Sequence, residues 1–188
     1  MKIDPFAMER WQSLWENEVR YNLSESGVHP MTVLELFEIA DLEAAEVLLT
    51  QRLFYNPSNG SPELRAAIAS LYPGADERNV LVTNGSAEAN FVTALHLLEP
   101  GDNVVFMVPN YMQWWGLGRL FGGEVRTFPL VEERRWAPDL DALRRAVDAR
   151  TRAIVVTNPN NPTGAVLSED EMAEIAAVAD RAGAWLIA

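Results

Sequence analysis

The sequence predicts an α/β fold: a mostly parallel sheet with flanking helices, preceded by a helical arm. Three observations carry this. From Asn79 onward, short apolar runs alternate with segments of helical periodicity. The joints between them are dense in Gly, Asn, Ser and Pro. Strand and helix alternate five times, and a helical crossover after each strand leaves the strands parallel with helices on their faces.

The elements follow in chain order. Residues 5–20 carry Phe6, Met8, Trp11, Leu14, Trp15 and Val19 near helical spacing, which predicts an amphipathic helix. Residues 21–30 form an irregular connector with Ser24, Ser26, Gly27 and Pro30. Residues 31–49 return to helix through Val33, Leu34, Leu36, Phe37, Ile39, Ala40 and Leu42, which makes residues 1–50 a helical arm. Residues 52–61 read as loop. Ser61 then caps a helix with Pro62 at its first position, where a missing N–H costs nothing. Pro73-Gly74 closes that helix.

Strands are expected at Val80–Val82, Val104–Val108, Glu124–Phe128, Ala153–Val156 and 184–188. Helices are expected from Ser86 to Leu98, from Tyr111 to Phe121, after Pro138, and from Ser168 to Gly183. The last opens with Ser168 and Glu171, a capping box. Glu132-Glu133 and Arg134-Arg135 read as a solvated turn, and Asp139 as a helix cap. Trp185, Leu186 and Ile187 look like a buried strand at the end of the sequence, which leads us to expect a longer polypeptide.

Composition excludes several function classes. The net charge is −12, from 15 Lys and Arg against 27 Asp and Glu, which opposes binding to nucleic acid or an anionic membrane. There is no cysteine, so no disulfide, thiolate nucleophile or thiolate-bound zinc. His29 and His96 are far apart, so a histidine metal site is not expected. No apolar run reaches the ~20 residues of a membrane span. The N-terminus has no signal-peptide core, and a cytoplasmic location follows as the default. Lys2 is the sole lysine.

Ligands of parallel sheets bind beyond the C-terminal ends of the strands, and each chemically suggestive segment falls there. Thr83-Asn84-Gly85-Ser86-Ala87 joins a strand to a helix start. Free amides at a helix N-terminus suit an anion, a phosphate among them, although on these residues alone a plain cap at Gly85 or Ser86 is the commoner reading. Pro109-Asn110-Tyr111-Met112-Gln113-Trp114 follows the second strand. Tyr111 can stack on a flat ring or pack in the core; Trp114 and Trp115 read as packing. Asn158-Pro159-Asn160-Asn161-Pro162-Thr163-Gly164 follows the fourth strand and by itself reads as an Asn-Pro turn.

Those three segments, with Tyr55-Asn56-Pro57-Ser58-Asn59-Gly60 and Glu63-Leu64-Arg65, resemble the class I/II aminotransferases, which are fold-type-I pyridoxal-phosphate enzymes. The resemblance runs over residues 20–188, as the N-terminal half of a longer enzyme. It implies a cofactor, pyridoxal 5′-phosphate, and amino-group transfer between an amino acid and a 2-oxo acid in a homodimer. Residues 51–188 become the first part of a cofactor-binding large domain. Gly85, Ser86 and Ala87 become the phosphate cup, Tyr111 the ring-stacking residue and Asn161 the donor to the ring hydroxyl. Tyr55 becomes a phosphate ligand reaching across the dimer, or else a surface-loop tyrosine. Gly27 becomes a substrate-pocket residue, with Ser26 an equal choice.

The sequence departs from the family in lacking the later aspartate, tyrosine, arginines and Schiff-base lysine. Lys2 precedes every strand and cannot replace that lysine. No catalytic residue is therefore assigned, and transamination by the family's route is not expected of these 188 residues alone. Two rivals follow: another fold-type-I reaction (a lyase, decarboxylase or cyclase), and a catalytically inactive remnant. A dinucleotide-binding domain is disfavoured because no strand is followed by Gly-x-Gly-x-x-Gly.

Overall fold

Five strands form one sheet in the computed structural model, which describes residues 5–40 and 43–188. The chain divides into two units, residues 1–26 with 84–188, and Gly27–Thr83. In the first unit, β1 (Asn103–Val108) lies at the centre of the order β3-β2-β1-β4-β5. It pairs in parallel with β2 (Glu124–Val131) and β4 (Thr151–Val155), and β4 pairs in parallel with β5 (Trp185–Ile187). The two-residue β3 (Ala137–Pro138) runs antiparallel to β2.

Side chains alternate across β1, so each face packs its own helices. Val105 and Met107 join Phe128, Leu143, Ile154, Ile175 and Val178. That face is covered by α7 (Leu140–Ala146) and α8 (Glu169–Ala182). Val104 and Phe106 join Ala94, Trp114, Leu117 and Val155 under α5 (Ser86–Leu97) and α6 (Gln113–Leu120). Helix α6 packs closely because Gly118 faces the sheet: a Cβ there would lie 2.8 Å from Val125 Cγ2. Helix α8 has the expected ends, a Ser168/Glu171 capping box and Gly183 at φ 64°. Glu132–Arg134 is the expected exposed turn.

The N-terminal edge of the sheet is held by polar side chains. Thr151 donates to Asn103 Oδ1 at 2.7 Å, and Asn103 Nδ2 donates to Asp148 at 2.8 Å. Asp148 also accepts the Arg150 N–H and pairs with Arg126 at 2.8 Å.

The helices ahead of the sheet are shorter than expected. Helix α1 (Ala7–Trp15) stops before Val19, which lies in a hydrogen-bonded turn and remains exposed. Residues 31–49 are divided into α2 (Val33–Ile39) and α3 (Ala44–Thr50). A Thr32/Glu35 capping box opens α2, and the Ala40 N–H, shared between the carbonyls of Leu36 and Glu38, closes it. Leu42, like Lys2, lies outside the described residues.

In the second unit, Ser61 caps α4 (Pro62–Ala69) as expected, and Arg65 donates to the carbonyls of Gly60 and Glu77. The expected strand at Val80–Val82 is not formed. The Val80 N–H closes a 3-10 turn onto Glu77, and the Val82 N–H bonds the carbonyl of Asn59. An apolar run becomes a strand only where a neighbouring ladder accepts its backbone groups.

Candidate functional site

At the C-terminal edge, the turns after β1 and β4 are tied together by a side-chain hydrogen bond. The Thr157 hydroxyl donates to Asn110 Oδ1 at 2.7 Å. The same oxygen accepts the Tyr111 N–H at 2.7 Å, which fixes the orientation of the amide, because a backbone N–H can only donate. Asn110 is buried, and its Nδ2 has no partner among the described residues. Below the β4 turn, Asn160 is also buried. Its Nδ2 donates to Thr163 at 2.8 Å, while its Oδ1 has no partner among the described residues. Its backbone N–H and C=O bond Ala165 and Gly164, closing a tight loop. A buried donor and a buried acceptor at one sheet edge thus have hydrogen-bonding capacity that no described residue uses.

Tyr111 is half-buried. Its hydroxyl donates to Glu9 Oε1 at 2.7 Å, and its ring meets Phe6 at a centroid distance of 5.0 Å. Burial, reinforced by the Glu9 carboxylate, pushes its phenol up to about 12. Tyr111 is thus a neutral aromatic surface and donor across the physiological range.

Helix α5 opens on the same unit with Gly85 as N-cap, at φ 86° and ψ 164°, a region open almost solely to glycine. Gly85 has no side chain with which to cap it. Its first-turn amides lie beyond the reach of intrahelical carbonyls, as at every helix start. Gly85, Ser86 and Ala87 are exposed. The Asn84 N–H bonds Glu88 at 2.6 Å, which anchors the turn from behind. A relay joins α5 to the start of α6: Trp114 Nε1 donates to Asn90, Asn90 to Gln113, and Gln113 to the Ala87 carbonyl, at 3.0, 2.8 and 2.9 Å.

The first unit therefore carries Gly85, Ser86, Ala87, Tyr111 and Asn161, the last half-exposed in the β4 turn. Tyr55 and Gly27 belong to the second unit, both exposed in irregular segments. Sequence reasoning missed Asn110, Thr157, Asn90, Gln113 and Glu9 as contributors. The first four are polar residues beside motif positions, which is a signal of sorts. Glu9 carries none, because its partner lies 102 residues away. Among the described residues no group of three His, Cys, Asp or Glu could hold a metal ion, and no helix is long and apolar enough to cross a membrane.

Comparison with known proteins adds an independent line. Residues 33–188 match the family described as aminotransferase class I and II. A probable N-succinyldiaminopimelate aminotransferase DapC of Mycobacterium tuberculosis is 46% identical over 132 residues, covering 66% of this chain and 33% of that protein. Capreomycidine synthase of Streptomyces vinaceus is 35% identical over 159 residues, covering 84% of this chain and 41% of that protein. A PLP-dependent aminotransferase from Streptococcus suis superposes with a TM-score of 0.92 at 32% identity, over 99% of this chain and 50% of that one. The chain thus spans 33% and 41% of these curated relatives and 50% of that solved structure.

Proposed function

The chain belongs to the class I and II aminotransferase family, and we propose that its first unit holds the phosphate and ring-binding part of a pyridoxal-phosphate site. The enzyme to which it contributes moves an amino group between an amino acid and a 2-oxo acid. The observation that carries this reading is the Thr157–Asn110 hydrogen bond, which brings the Tyr111 turn and the Asn160-Asn161 turn to one sheet edge.

The residues present fit that group. An exposed helix start with a glycine N-cap accommodates a phosphate, an uncharged aromatic accommodates a pyridine face, and buried amide atoms without a partner among the described residues lie at the same edge. Ser86 and Ala87 amides bind the phosphate. Tyr111 covers one ring face and keeps water from it. The Asn161 amide donates to the ring hydroxyl oxygen and favours its ionised form. When bound, the cofactor supplies an electron sink at the amino acid's α-carbon. Tyr55 reaches the phosphate of a second copy in a homodimer, and Gly27, or Ser26 in its stead, lines the substrate pocket. The division into an arm of residues 1–50 and a large domain from residue 51, a cytoplasmic location and a biosynthetic role belong to the same proposal.

A cyclase reading is favoured by one observation: a structure described as the PLP-dependent cyclase OrfR superposes with a TM-score of 0.87 at 33% identity. Fold similarity does not separate a ring-forming from an amino-transferring enzyme, and product analysis does.

Titration of the chain with pyridoxal phosphate tests the site. Binding should be non-covalent and competed by inorganic phosphate. Borohydride should fix no stoichiometric adduct at a buried site, since Lys2 and the α-amino group are the only primary amines. Binding that phosphate fails to compete would remove the α5 assignment.

A further inference from the structure

Helix α1 presents no buried residue, and Trp11, Leu14 and Trp15 are at least half exposed. A mainly apolar groove of about 480 Å³ lies between its start, at Pro5, Phe6 and Met8, and the start of α6, at Met112, Gln113 and Trp115. Packing against α6 is therefore incomplete. Two contacts nonetheless join this helix to one residue of the candidate site, and both converge on Tyr111. Glu9 accepts the hydroxyl proton at 2.7 Å, and Phe6 meets the ring at 5.0 Å with the planes inclined by 59°. The opposite end of the same residue is fixed by its N–H on Asn110. A tyrosine side chain has two torsions: the hydroxyl lies on the ring's own rotation axis, so its bond to Glu9 sets the first, and the Phe6 ring contact restricts the second.

We infer that Glu9 is a positioning residue of the cofactor site: with Phe6 it holds the Tyr111 ring in the plane against which the pyridine stacks, so the N-terminal helix is part of the ring-binding apparatus. This rests on the cofactor reading given above. A phenol hydroxyl left without its acceptor lets the ring rotate away, and an offset stack depends on ring orientation. The anchor is charge-assisted, so a carboxylate holds the ring better than a neutral acceptor and a neutral acceptor better than none. Glu9 is the charged group that the Tyr111 hydroxyl meets directly.

Five variants of the chain test this: Glu9→Ala, Glu9→Gln, Tyr111→Phe, Tyr111→Ala, and the double variant Glu9→Ala/Tyr111→Phe. The readouts are pyridoxal-phosphate affinity, inorganic-phosphate affinity, and the circular dichroism that the achiral ring acquires when held in one orientation. Glu9→Ala should weaken pyridoxal-phosphate binding about three- to tenfold, the range of an aromatic contact, and diminish the induced dichroism. Phosphate affinity should stay unchanged. Tyr111→Phe should reproduce the loss, the double variant should add nothing, and Glu9→Gln should recover most of the affinity. Unchanged pyridoxal-phosphate affinity and dichroism in Glu9→Ala, while Tyr111→Ala is impaired, overturns the role of Glu9 alone. Equal loss of phosphate affinity also overturns it, since the effect would then be general to the fold. An unimpaired Tyr111→Ala overturns the stacking assignment and this inference with it.

Discussion

Thr157 and Asn110 are hydrogen-bonded across the C-terminal edge of the sheet, hydroxyl to amide oxygen at 2.7 Å, although 47 residues separate them. Each follows a central parallel strand, and parallel neighbours bring their C-terminal ends together. The bond thereby couples the two turns that carry Tyr111 and Asn161. Thr157→Val keeps the shape and removes the donor. We expect a loss of about 0.5–1.5 kcal/mol of stability, the net value of one hydrogen bond. Urea unfolding checks it, and a variant as stable as the parent would show that the bond contributes nothing.

The α5 start can be tested one donor at a time. Ser86 is the first helical residue, where proline is well tolerated, so Ser86→Pro deletes an N–H and spares the helix. Phosphate and pyridoxal-phosphate binding should both weaken by about 1–3 kcal/mol. Calorimetry measures this; undiminished affinity in a folded variant would move the phosphate elsewhere.

Gly118 should not accept even a methyl group. Helix propensity favours alanine, but the new Cβ would sit 2.8 Å from Val125 Cγ2, between α6 and the sheet. Overpacking should win, and Gly118→Ala should destabilise by about 1–3 kcal/mol. A stabilised variant would mean that the helix can move outward at little cost.

Asp148 should shape the acid limb of stability. The Arg150 N–H, then Asn103 and Arg126, outweigh desolvation and lower its carboxyl from 3.8 to about 2. A depressed folded-state value means that stabilisation is present above the unfolded value. It is lost as pH falls from about 4 towards about 2, where the folded carboxyl also protonates. Asp148→Asn should therefore be less stable than the parent near neutral pH, with the gap closing as pH falls through that window. A gap independent of pH would exclude the carboxylate charge as its source.

Much of this molecule is set by local chemistry and can be read from the sequence. Ser168 and Glu171 start α8 and Gly183 stops it, because cap groups reach only three or four residues along the chain. Gly85 before Ser86 fixes the start of α5 for the same reason, and the runs at Val104 and Ala153 read as buried strands and are found as such. Tertiary structure decided the rest. Val80–Val82 has the composition of a strand but gives its amides to Glu77 and Asn59, since a ladder requires a neighbour that composition does not supply. Asn110 gains its meaning from Thr157, and Tyr111 from Glu9, 102 residues before it. Such pairs follow from which strands lie adjacent and where a helix comes to rest, and a single sequence records neither.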